Sequence, residues 1–186
     1  MSQNLKISLR KRSRYQPLNK ENIKAEYLKY PLYNLEPSGQ ILNNFLRQGN
    51  SYNLSPREAQ IIYVLNRTQF EPILKKKLEQ GINIIAEDYV GTGIAWGIGV
   101  GVEQKFLEKI NLHLLKEDLS ILFDGKRFNK AIEKNHKYEI DKKLVKKVRK
   151  IHLKLRKKYG WKKINANLSV EKINEILWNK IRKLLN

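Results

Sequence analysis

The stretch from Ile82 to Trp96, INIIAEDYVGTGIAW, constrains the fold of this chain more than any other. A short apolar run leads directly into two carboxylates, Glu87 and Asp88, then a tyrosine and a segment of small residues. Ile82, Ile84 and Ile85 suit a strand covered on both faces, as in a parallel sheet packed between helices. In such sheets ligands lie beyond the carboxyl ends of the strands, and Gly91 and Gly93 would let backbone approach one closely. That is how a parallel sheet delivers a phosphate or metal site. A core strand followed by an ordinary glycine turn is the plainer reading of the same residues.

The remaining pattern alternates strands with helices. Residues 1–22 read as a basic, irregular arm, with 23–186 as one domain. Ala25 to Tyr30 reads as a strand ended by Pro31, and Ser38 to Arg47 as a helix with Ile41, Leu42, Phe45 and Leu46 on its apolar face. Ser55 caps a further helix, Pro56 takes its favoured first position, and Ile61, Ile62, Leu65 and Phe70 supply its apolar pattern. Pro72 is expected to kink or restart it, with Ile73, Leu74 and Leu78 continuing to a stop at Gly81. A helix from Glu103 to Leu115, a strand from Leu119 to Phe123 and a basic connector follow. From Asp141, Leu144, Val148, Ile151, Leu155 and Tyr159 recur at helical spacing until Gly160. A short strand, Trp161 to Ala166, precedes a helix from Val170 to Leu185. The alternation predicts an α/β domain with a mainly parallel sheet flanked by helices.

Charge points to the partner class. The chain has 38 Lys+Arg against 18 Asp+Glu, a formal net charge of +20, which favours polyanions such as nucleotides or nucleic acids. The excess is densest from Lys137 to Lys163, with thirteen Lys/Arg against Glu139 and Asp141. Lys, Ile and Asn are abundant together, as AT-rich codon usage would produce, which accounts for the same excess more blandly. With no cysteine there is no disulfide framework or thiolate site, and His113, His136 and His152 lack metal-ligand spacing. No apolar run approaches the ~20 residues that cross a bilayer, and no secretory signal opens the chain, so a cytoplasmic, non-membrane protein is expected.

In order and spacing, several motifs resemble the thymidylate kinase family of P-loop nucleoside-monophosphate kinases, over roughly Ile23 to Ile181. The family's strand ending in Phe-Pro reads here as Tyr30-Pro31; its helix bearing an aromatic and Asn-Arg reads as Tyr63 with Asn66-Arg67. Its Asp-Arg-Tyr with a serine, an alanine and an aromatic reads as Glu87-Asp88-Tyr89 with Thr92, Ala95 and Trp96. The strand before its lid resembles LLKEDLSILFDG, and its last strand resembles INAN at Ile164 to Asn167.

This resemblance implies transfer of the ATP γ-phosphoryl group to dTMP with Mg2+, giving dTDP. By it, Tyr63 stacks on the thymine, although a plain core role at helical spacing from Phe70 is the alternative; Arg67 holds the base edge or a phosphate. Tyr30, Asn66, Tyr89, Thr92 and Trp96 line the acceptor pocket. Glu87 is catalytic and holds Mg2+ through water. A basic lid at about 125–140 brings Arg127, as a second catalytic group, with Lys130 and Lys134, over the phosphates. A homodimer is a further implied partner state. A basic, non-catalytic nucleic-acid-binding protein is the alternative reading.

Three departures stand beside the matches. No G-x-x-x-x-G-K-S/T motif occurs in the 186 residues, so the Walker loop and the first, central strand of the family are expected to be missing, through a late start or degeneration, and turnover to be impaired. The division should fall between the strands near Ile84 and Ile121. Asp88 stands where the family has arginine, and should repel phosphate unless a cation compensates. Tyr33 lies near another phosphate-binding arginine position.

Overall fold

The computed structural model describes residues 23–125, 137–138 and 140–185. Its strands are β1 (Ala25–Lys29), β2 (Asn83–Glu87), β3 (Ile121–Asp124) and β4 (Lys162–Asn165). Its helices are α1 (Ser38–Arg47), α2 (Pro56–Glu79), α3 (Val90–Gly99), α4 (Gln104–Ile110), α5 (Lys142–Tyr159) and α6 (Val170–Leu185). The chain is an α/β protein of parallel strands connected through helices. β1 pairs with β2 in the register Lys29 to Glu87, and β3 with β4 in the register Asp124 to Asn165. Among the described residues the two pairs are not hydrogen-bonded to each other, so the sheet divides between Ile84 and Ile121. Ile82, Ile84 and Ile85 are accordingly half-buried, not covered on both faces as expected.

Helix boundaries follow local chemistry. Ser55 and Glu58 form a reciprocal capping box at α2, with Pro56 behind it. Asp141 caps α5 by accepting from the N–H groups of Lys143 and Leu144, and Gly160, at φ +72, closes it in the left-handed conformation glycine adopts most readily. α2 runs unbroken through Pro72. Pro72 and Thr68, whose carbonyl loses its helical partner there, are both exposed, so the predicted kink is absent. α4 is shorter than the predicted Glu103–Leu115 helix.

The segment read as a glycine turn is instead helix α3, and its glycines permit close packing. A Cβ at Gly99 would press into Val148 of α5, and one at Gly97 would lie 2.7 Å from Leu107 of α4. Ile94 and Ala95 of α3 thus form one core cluster with Val102, Leu107, Val148 and Leu155. A second cluster joins Phe45 and Leu46 of α1 to Ala59 and Tyr138. α2 departs most from its predicted pattern. Ile61 and Leu65 are 47% and 37% exposed, whereas Gln60, Val64, Arg67, Glu71 and Leu74 are buried at alternating spacings of four and three. The face of α2 turned inward is largely polar.

Candidate functional site

That polar face meets the carboxyl ends of β1 and β2. Arg67 is only 3% exposed. Its Nη1 donates to the Tyr63 carbonyl at 3.4 Å and its Nη2 to the Tyr89 carbonyl at 3.2 Å, while Nε has no partner. The guanidinium carbon lies 6.0 Å from the ring centres of both Tyr30 and Tyr89, and those rings are 5.2 Å apart. Tyr30 is buried and its hydroxyl also lacks a partner. Among the described residues no carboxylate lies within ion-pair distance of Arg67.

A guanidinium removed from water without a counter-ion is costly, by several kcal/mol after relaxation. Burial pulls the Arg67 pKa down, pushes Tyr30 up to about 12 and raises Tyr89 as well. Gly93 makes the arrangement sterically feasible, because a Cβ there would stand 2.7 Å from Arg67 Nη2. The small residues after β2 therefore seat a cation, and Gly91 likewise seats the Trp161 ring. Neither glycine was expected to serve a side chain.

One turn before Arg67, Tyr63 packs against the cluster of Phe45, Leu46, Ala59 and Tyr138. Burial pushes its hydroxyl well above the usual tyrosine range, with Tyr33, Tyr138, Arg67 and Arg47 as its ionisable neighbours. Tyr138 stacks on Trp96 at 5.7 Å and 12°, and meets Phe45 edge-on at 5.9 Å. An aromatic wall thus stands beside the deep cation. Tyr138 and Arg47 went unnoticed in the sequence. Arg47, in the last turn of α1, lies 4.4 Å over the Tyr33 ring, and there it offered no signal beyond an ordinary helix-terminal cation.

At the strand tips, Lys29 stands 3.2 Å from Glu87 and 3.8 Å from Asp88. The Tyr27 hydroxyl donates to Glu87 at 2.5 Å. Lys29 is therefore one cation beside Asp88, where compensation was expected from lid lysines or Mg2+. Asp88 itself sits at φ +62, a left-handed conformation that a short polar side chain tolerates better than most. The main-chain N–H of Tyr30 donates to the Glu87 carbonyl at 2.9 Å, and Lys29 and Asp88 both neighbour Tyr33. Tyr63, Arg67 and Glu87 are thus linked in one neighbourhood through Tyr30, Tyr33 and the strand tips.

Other candidates take different places. The Asn66 amide bonds the Leu32 N–H, the Leu32 carbonyl and Ser38 Oγ at 2.8, 3.0 and 2.9 Å. Its side chain is committed to holding the loop between β1 and α1, so it acts on the site by position. Thr92 lies in the first turn of α3. Arg127, Lys130 and Lys134 lie outside the described residues.

Donor chemistry bears on the implied Mg2+ and ATP. Among the described residues no group of three metal-ligating side chains comes together. Glu87 is already engaged by Lys29 and Tyr27, so it suits contact with an ion through water rather than direct ligation. No G-x-x-x-x-G-K-S/T motif, the usual cradle for nucleoside-triphosphate phosphates, occurs in the 186 residues.

Parallel strands, a helix bearing Asn-Arg and an acidic strand tip define a P-loop nucleoside-monophosphate-kinase fold. Thymidylate kinase from Candida albicans shares it with a TM-score of 0.73 at 21% identity, covering 93% of this chain and 86% of that one. The thymidylate kinase of Dictyostelium discoideum is 27% identical over 165 residues, 85% of this chain and 71% of its own length. The 251L protein of Invertebrate iridescent virus 6 is 27% identical over 158 residues, 84% and 73% of the respective chains. The thymidylate kinase family profile matches residues 15–176. The chain belongs to the thymidylate kinase family.

Proposed function

We propose that this chain binds dTMP, or a closely related nucleoside monophosphate, in the crevice between α2 and the tips of β1 and β2. The carrying observation is Arg67, a buried cation with no carboxylate partner, its Nε unsatisfied beside the unsatisfied hydroxyl of Tyr30. A ligand rich in carbonyl oxygens would satisfy both groups, and leaving them unmet costs about 1–3 kcal/mol each. Tyr63 would supply the ring face for the base, worth ~1–3 kcal/mol. Arg47, beside Tyr33, would meet the phosphate. As in the family, the reaction served would be phosphoryl transfer from ATP with Mg2+ to the bound monophosphate. We propose in addition that the 186 residues, lacking a triphosphate-gripping loop, turn over slowly.

Calorimetry with dTMP tests the acceptor site. Saturable binding that Tyr63→Ala weakens by about tenfold or more is expected; an unchanged affinity would assign Tyr63 to packing alone. An ADP-release assay tests competence, and turnover at ~1–100 s⁻¹ would refute the impairment. A homodimer is favoured by exposed Ile61 and Leu65 on α2. Sedimentation of the protein and of Leu65→Glu checks it, a single monomeric species for both being the contrary result.

A further inference from the structure

We infer that a row of lysines on α5 is a docking surface for the phosphate backbone of double-stranded nucleic acid, bound without regard to base sequence. The row lies on the face of α5 opposite its buried residues Val145, Val148, His152 and Leu155, and its test does not depend on the acceptor-site reading.

The 18 residues of α5 contain ten Lys/Arg and no acid, so this one helix supplies +10 of the formal +20. Lysine-rich composition alone would leave the signs mixed, as they are elsewhere. α2 sets Glu58, Glu71 and Glu79 among its five basic residues, and α6 sets Glu171 and Glu175 among four. On α5 three cations have protein partners: Arg149 pairs with Asp124, Lys158 with Glu108, and Arg156 Nε donates to the Trp161 carbonyl. Lys142, Lys143, Lys146, Lys147, Lys150, Lys154 and Lys157 are exposed, and none makes an ion pair among the described residues.

Five of these, Lys143, Lys147, Lys150, Lys154 and Lys157, recur at spacings of four, three, four and three. That spacing puts them in one line, directly opposite the buried face of Val145, Val148, His152 and Leu155. At 1.5 Å per residue the line is about 21 Å long, which spans about six phosphates of one duplex strand at 3.4 Å of axis each.

Local helix energetics oppose this row. Like charges three and four residues apart repel, and Lys142 and Lys143 stand at the N-terminus, where the helix dipole disfavours cations. Asp141, whose carboxylate takes the N–H groups of Lys143 and Leu144, is the local offset. A charge row held against its own helix fits a surface that meets an external anion. Its chemistry selects the anion. The row has no aromatic ring on which unpaired bases could stack, no amide or guanidinium to read base edges, and no apolar side chain to enter a lipid interface.

Anisotropy of a labelled mixed-sequence duplex of about 20 base pairs, titrated with the full chain between about 50 and 200 mM salt, tests the inference. With five phosphates engaged, log K should fall against log salt with a slope of about −4.5. The triple variant Lys147→Gln, Lys150→Gln, Lys154→Gln should bring the slope to about −2. A control removing the same charge elsewhere, Lys76→Gln, Lys105→Gln, Lys109→Gln, should leave it unchanged. All six side chains are exposed, and circular dichroism checks that both variants fold. Equal losses in the two triples, a parent slope shallower than about −2, tighter binding to the single strand, or retention on anionic vesicles without duplex binding would each overturn the proposal.

Discussion

The α3–α5 interface and the inward face of α2 are both buried, yet they are built on opposite terms. Between α3 and α5, apolar side chains meet across glycines close enough that Gly99 leaves no room for a Cβ beside Val148. Under α2, Gln60, Asn66, Arg67 and Glu71 are buried beside Val64 and Leu74, and Arg67 Nε and the Tyr30 hydroxyl are unsatisfied. The first region is a finished core. The second holds a guanidinium out of water with its Nε unsatisfied, a cost that the ligand proposed above would offset.

Substitutions can break this contrast. The largest effect is expected from Arg67→Met, which replaces the buried charge by an apolar chain of similar length. dTMP affinity should fall by about 100-fold or more, as expected for losing a buried charged contact, while urea unfolding shows stability unchanged or raised. A destabilised variant with intact binding would reverse the assignment of the two regions. Leu107→Ala, at a fully buried side chain in the finished core, should do the opposite. It should lower stability by about 2–5 kcal/mol without changing dTMP affinity in calorimetry.

The finished core should also carry a pH dependence. His152 is buried, its Nδ1 against the Val148 carbonyl at 3.1 Å, and burial pushes its pKa down from 6.5 to about 4. Because the folded pKa is depressed, its stabilising contribution is complete above about pH 6.5 and is lost as pH falls toward 4, at about 1.4 kcal/mol per unit. Denaturant midpoints measured across that window should decline in the parent and stay flatter in His152→Gln. The smallest effect belongs to the rim of the acceptor site. Arg47→Ala should weaken dTMP about tenfold, at the low end for a charged hydrogen bond, and leave thymidine, which has no phosphate, unaffected.

The fold was largely legible in the sequence because its signals are local. Capping at Ser55 and Asp141, the stop at Gly160 and the strand tips at Glu87 and Asp124 all stand where side-chain chemistry places them. Beyond the Pro72 kink and the length of α4, two larger features were not legible. Apolar periodicity assigned Ile61 and Leu65 of α2 to the interior, and the structure turns Gln60, Arg67 and Glu71 inward instead, where polar side chains meet loops and strand tips and the hydrophobic pattern gives no guide. The glycines of α3 read as a turn because glycine disfavours helices, and only the partners brought by tertiary packing, Arg67, Leu107 and Val148, explain why helix prevails there. Of the site proposed here, Arg67 and Tyr63 were named from motif order. The amide of Asn66 was expected to face a ligand and proved to anchor a loop, while Arg47 and Tyr138 depended on contacts between segments far apart in the chain.

Asn66 and Arg67 are consecutive on a rigid rod. The first fastens the loop that follows β1, and the second reaches under Tyr89 at the start of α3. A single peptide unit therefore ties the loop after β1 and the entrance of α3 to the same helix, so a tilt or slide of α2 would pull on both together.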